Sequence, residues 1–148
     1  MSDKEKTVDY TLRETWQAVS RMYNEEASNY GATMALGFAL LSIDRDGTSS
    51  TALAPKMGME PTSLTRTLKS MEDKGLIVKN KNPKDGRGVI INLTALGLEK
   101  RELSKQTVLR FNQVVKQEIS EVKLAIFKEV SASINTLINE RKIFKHDK

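Results

Sequence analysis

The stretch EPTSLTRTLKSMEDKG, residues 60–75, decides how this chain folds. Pro61 suits the first position of a helix, where its missing N–H leaves nothing unpaired and its fixed φ is already helical. At about 100° per residue, Leu64, Thr67, Leu68 and Met71 share one side. Thr62, Arg66 and Lys69 share the other, flanked by Ser63 and Thr65, and acid enters only with Glu72 and Asp73 in the last turn. Any exposed helix shows polar residues opposite its core, so this face alone is equally plain surface or binding surface. Its neighbours decide between the two.

Upstream, TSSTALAPKMG predicts a short helix with Ser49 at its N-cap and Leu53 and Met57 buried. Pro55 deletes a hydrogen bond and crowds the preceding turn, so this helix is expected to be short or distorted. Gly58 ends it, and GMEP connects it tightly to the next helix. That is helix–turn–helix spacing, in which the second helix enters a DNA major groove. Downstream, LIVKNK and VIINL predict two strands, with Val89, Ile91 and Leu93 on one face. NPKDGRG between them predicts a long basic hairpin tip, which after a helix–turn–helix reads as a wing.

Farther out, Val8, Leu12, Trp16, Val19, Met22, Tyr23, Ala27 and Tyr30 recur at helical steps over residues 7–30, and Gly31 closes that helix. Met34, Phe38 and Leu41 mark a second helix, ended by the DRDG turn. Thr94 restarts helix as an N-cap in LTALG, and the chain is expected to stay helical to about residue 144, breaking near residues 119–121. The expected fold is mainly α with a small β-hairpin wing. A winged helix–turn–helix core at 33–94 lies between long helices at 7–30 and 95–144, all within one domain of 148 residues. The outer helices carry more apolar surface than that core can cover.

Net charge is +5, and it is not spread evenly. Lys56, Arg66, Lys69, Lys74, Lys79, Lys81, Lys84 and Arg87 outweigh Glu60, Glu72, Asp73 and Asp85, so residues 56–87 alone carry +4. Concentrated positive charge beside a helix–turn–helix is the footprint expected for a polyanion. Short hydroxyls let a surface approach closely, and a helix N-terminus favours phosphate. Arginine pairs with guanine through two hydrogen bonds, and Ser or Thr bonds base edges or phosphate. Arg87, between Gly86 and Gly88, suits a narrow minor groove, with Asp85 placed to hold its guanidinium.

Other chemistries find little support. There is no cysteine, and His146 is the single histidine, so neither a metal site nor thiol chemistry is expected. No Gly-rich phosphate loop and no nucleophile–base motif is present, so neither an enzyme nor a bound cofactor is expected. MSDKEKTVDY has no apolar leader segment. The apolar run ATMALGFALLSI, of about a dozen residues, is too short to span a bilayer. A cytoplasmic protein without membrane partners is expected.

The segment LAPKMGMEPTSLTRTLKSMEDKGLIVKNKNPKDGRGVIINLTALG resembles the winged helix–turn–helix core of MarR-family transcriptional regulators. The resemblance rests on the LA…MG helix, the TSLTRTLKSMEDKGLI recognition helix, the D-G-R wing and the LTALG exit. It implies a homodimer joined through the N- and C-terminal helices. It implies a repressor on a pseudo-palindromic double-stranded operator, released by a small lipophilic or aromatic acid. Thr62, Ser63, Thr65, Arg66 and Lys69 would then face the groove. Lys84 and Arg87 would serve the wing, and Ser49, Ser50 and Thr51 would touch phosphate. Trp16, Tyr23, Met34, Phe38 and Phe111 are effector-pocket candidates, although any one of them reads more readily as core or dimer interface. This sequence departs from the family pattern at Pro55, at Glu60 in the N-cap position, and at Gly86 and Gly88, which should loosen the wing tip. Its lack of cysteine excludes the thiol-based peroxide-sensing branch. The competing reading is a winged helix used as a protein-interaction module.

Overall fold

The computed structural model describes residues 6–144, apart from the side chains of residues 85–87. In chain order, its elements are α1 (Val8–Ser28), α2 (Met34–Ser42), β1 (Thr48–Ser49), α3 (Ser50–Met57), α4 (Pro61–Asp73), β2 (Ile77–Asn82), β3 (Asp85–Leu93), α5 (Ala95–Glu118) and α6 (Glu121–Asn139). The chain divides into two compact units, residues 1–107 and 108–148, with α5 contributing to both. Among the described residues no helix is long and apolar enough to cross a membrane.

The core of the first unit forms where the predicted stripes meet. Leu64, Leu68 and Met71 of α4 are buried with Leu53 of α3 and with Ala39, Leu40 and Ile43 at the end of α2. Leu76, Ile77 and Ile91 close this cluster from the sheet, and Val89 and Leu93 pack at its edge. Met57, expected to be fully buried, is only partly so, and α2 supplies the packing assigned to it. Thr67 lies at the margin, half-buried. Pro55 is tolerated because α3 ends within one turn of it. Gly58 adopts φ +63, and Met59 N–H donates to Ala54 O at 3.1 Å, a closure that needs the left-handed conformation.

Three boundaries differ from expectation. Thr48 and Ser49 form a two-residue strand, antiparallel to β3 opposite Ile91 and Ile90, so the sheet order is β1-β3-β2. Two residues carry no periodicity to read. The wing tip is tighter than the long loop predicted: Asn82 stands opposite Asp85, which leaves only Pro83 and Lys84 as the turn. Asn82 Oδ1 accepts from Lys84 N–H at 3.0 Å and closes that turn locally. The register then jumps to Lys81 opposite Val89, so Gly86, Arg87 and Gly88 form a bulge in β3. Finally, α6 stops at Asn139 rather than near residue 144. Arg141 takes φ +55, and Lys142 N–H donates to Leu137 O at 2.9 Å, ending the helix without a glycine.

The LTALG segment has a definite mechanical role. Thr94 Oγ1 accepts from Gly97 N–H at 3.0 Å and donates to Gly75 O at 2.6 Å. Thr94 N–H donates to Leu76 O at 3.0 Å. A Cβ at Gly97 would lie 2.0 Å from that same carbonyl oxygen. The first turn of α5 is thereby held against the root of the wing. Gly97→Ala should force this contact apart and destabilise the protein by at least about 1–3 kcal/mol, as overpacking does. Urea unfolding checks it: an unchanged midpoint would show that α5 shifts freely there.

Candidate nucleic-acid interface

Burial of Leu64, Leu68 and Met71 fixes which way α4 faces, and leaves Thr62, Ser63, Thr65, Arg66 and Lys69 exposed. The helix begins without a side-chain cap, because Glu60 occupies the N-cap position and makes no capping bond. The hydroxyls on this helix are not equivalent. Thr65 Oγ1 donates to Pro61 O at 2.9 Å, and Thr67 Oγ1 donates to Ser63 O at 3.0 Å. Thr62 and Ser63 have no side-chain partner among the described residues.

The cations divide in the same way. Lys56 pairs with Asp44 at 3.2 Å, and Lys79 of β2 pairs with Glu72 in the last turn of α4 at 3.8 Å. Arg66, Lys69, Lys74, Lys81 and Lys84 have no acidic partner among the described residues. The Glu72–Lys79 pair thus offsets an acid at the end of α4, while the cations along α4 stay unmatched among the described residues. Exposed pairs of this kind contribute about 0–1 kcal/mol to stability, so the net potential of the face matters more than the bond.

Lys84 sits in the two-residue turn at the wing tip. Arg87 lies in the strand bulge by its backbone, while its side chain and that of Asp85 fall outside the described residues. Asn80 Nδ2 donates to Asn92 Oδ1 at 3.1 Å across the two wing strands. Sequence reading missed this pair, because asparagine inside a strand carries no periodic signal. At the start of α3, Ser49 holds the N-cap position but makes no capping bond; its Oγ lies 3.4 Å from Thr51 Oγ1. Ser49 and Ser50 are half-buried and Thr51 is exposed.

The effector candidates are only partly gathered. Tyr23 is buried and meets Phe38 edge to face, with ring centroids 5.9 Å apart, and burial pushes its phenol pKa up. Met34 is half-buried, its N–H held by Asn24 Oδ1 at 2.9 Å. Trp16 is exposed on α1, apart from the buried Tyr23–Phe38 pair, and Phe111 is half-buried within the 108–148 unit. Ser20, one turn before Tyr23, has a buried hydroxyl without a hydrogen-bond partner among the described residues. A lone serine in a helix stripe gave no warning of it.

Comparison with known proteins fits this arrangement. The model of the MarR family matches residues 33–89, from the start of α2 to the wing. The chain is 30% identical over 94 residues to an uncharacterised HTH-type transcriptional regulator, YdgJ, of Bacillus subtilis. That match covers 64% of this chain and 57% of YdgJ, so the chain spans little more than half of the curated relative it matches. Among solved structures, AbsC, a MarR-family transcriptional regulator from Streptomyces coelicolor, superposes with a TM-score of 0.82 at 18% identity, over 95% of this chain and 97% of AbsC. A MarR variant from E. coli, complexed with operator DNA, superposes with a TM-score of 0.77 at 24% identity, over 86% of this chain and 92% of that one. These two likenesses establish a shared MarR-type winged-helix fold.

Because neither Arg66 nor Lys69 has a side-chain partner among the described residues, Arg66→Ala and Lys69→Ala should each leave folding stability within about 0.5 kcal/mol of the parent. Thermal unfolding checks this, and a larger loss would place these side chains in the scaffold.

Proposed function

We propose that this protein is a sequence-specific double-stranded DNA-binding regulator of transcription, a homodimeric repressor working in the cytoplasm without catalytic activity. In this reading residues 33–94 are the DNA-reading core, and the helices at 7–30 and 95–144 join two copies. The resemblance adds release by a small lipophilic or aromatic acid. One observation carries the proposal: cations without acidic partners and exposed hydroxyls lie along α4, and further unmatched lysines continue into the wing. An uncommitted guanidinium at Arg66 is free to take guanine, and free ammonium groups are available for phosphate.

The dimer rests on α6 and α1. No residue of α6 is buried, yet Val122, Ile126, Phe127, Val130, Leu137 and Ile138 are all apolar and exposed, as are Val8, Leu12 and Trp16 on α1. An exposed apolar stripe on a helix, as on α6 and separately on α1, marks an association site. Light scattering at micromolar concentration should give twice the chain mass, and a monomer would contradict the dimer.

The DNA reading is tested by selecting bound duplexes from a random pool and titrating the winners at two salt concentrations. Enriched sites should show half-sites about one helical turn apart. Arg66→Ala should cost roughly 1–3 kcal/mol on the selected site and relax its sequence preference. Lys84→Ala should weaken every sequence and lower the salt slope by about 0.9. Absence of binding at low salt would favour a protein-interaction module instead.

A further inference from the structure

We propose that Thr65 is a specificity residue that reads the C5-methyl group of a thymine through its own methyl, rather than a base or phosphate through its hydroxyl. This rests on the reading of α4 as the helix in the major groove. Thr65 is exposed on the face carrying Arg66, and its Oγ1 is turned back to donate to Pro61 O at 2.9 Å. A β-branched side chain in a helix has few open rotamers, because the third staggered position drives an atom into the preceding turn. With the oxygen in the position that reaches the carbonyl four residues back, the methyl takes the other open position. It is then the apolar part of Thr65 open to a partner, while the hydroxyl has no proton left to give.

Thr67 shows the same bond elsewhere. Its Oγ1 donates to Ser63 O at 3.0 Å, but Thr67 is half-buried. On Thr65 the arrangement faces outward. In the major groove thymine differs from cytosine by its methyl group and its O4 acceptor. A methyl meeting that methyl gains by removing apolar surface from water, whereas a hydroxyl must first give up Pro61 O to donate. Beside it, Arg66 without an acidic partner supplies donors for guanine. The helix then presents one apolar and one cationic reading group at adjacent positions.

The test uses the full-length protein and a duplex selected from a random pool, with each thymine of one half-site replaced in turn by deoxyuridine. Loss of one thymine methyl should weaken binding about fourfold at a single position, the scale of one buried carbon. Thr65→Val, which keeps the methyl, should retain that sensitivity. Thr65→Ser, which keeps only the hydroxyl, should bind about fourfold weaker and become indifferent to uracil there. The uracil arm leaves the protein untouched, so it is independent of any folding effect of the variants. If uracil is harmless at every position, or if Thr65→Val loses base preference while Thr65→Ser keeps it, the methyl readout is wrong and the DNA reading stands. If no duplex is enriched at all, the DNA reading itself falls and takes this proposal with it.

Discussion

One carbonyl oxygen, that of Leu76, organises the winged helix–turn–helix unit. Leu76 N–H closes the end of α4 by donating to Met71 O at 2.9 Å, and its carbonyl accepts from Thr94 N–H at 3.0 Å. Gly97 lies so close that a single methyl would collide with it. The end of the recognition helix, the root of the wing and the start of α5 therefore meet at one residue. Gly75, at φ +72, lets the chain turn into it from α4. Close-packed contacts of this kind deform little. The angle between the recognition helix and the wing is set there by the backbone rather than by long side chains.

With that frame rigid, function falls to the side chains that the frame leaves uncommitted. The paired cations, Lys56 and Lys79, hold acids that would otherwise oppose a phosphate backbone. Asp44 and Glu72 are the acids neutralised, one in the turn after α2 and one at the end of α4. Arg66, Lys69, Lys74, Lys81 and Lys84, without an acidic partner among the described residues, are exposed to solvent. The hydroxyls obey a similar division. Thr65 and Thr67 give their protons to the helix backbone, while Thr62 and Ser63 keep theirs for a partner.

Much of this fold was legible because its elements are periodic. The stripe of Leu64, Leu68 and Met71, the alternation of Val89, Ile91 and Leu93, and the capping role of Thr94 all follow from spacing and side-chain chemistry. What escaped was decided by tertiary contact. Strand β1 exists only because Ile90 and Ile91 offer it an edge. The tight wing turn depends on the Asn82 side chain, where the Gly- and Pro-rich composition suggested a longer loop. Of the candidate site, the exposed residues were readable from the helical face. Their hydrogen-bond commitments were not, because Thr65 and Thr62 look alike until the position of each oxygen is known. Tyr23 and Phe38, which meet edge to face, were named only as members of one candidate pocket, and the buried hydroxyl of Ser20 was not foreseen.

The second unit poses the opposite problem from the first, having too much apolar surface rather than too little freedom. Leu124, Ser131 and Ile134 are half-buried and share one side of α6. Val122, Ile126, Val130 and Leu137, at steps of about four residues, make a separate stripe that is exposed along its length. A helix apolar on two sides needs two neighbours, since each exposed branched side chain forgoes about 1.5–3 kcal/mol of burial free energy. In the proposed dimer a second copy of this chain meets that need with the surface already present, through self-complementary contact about a two-fold axis.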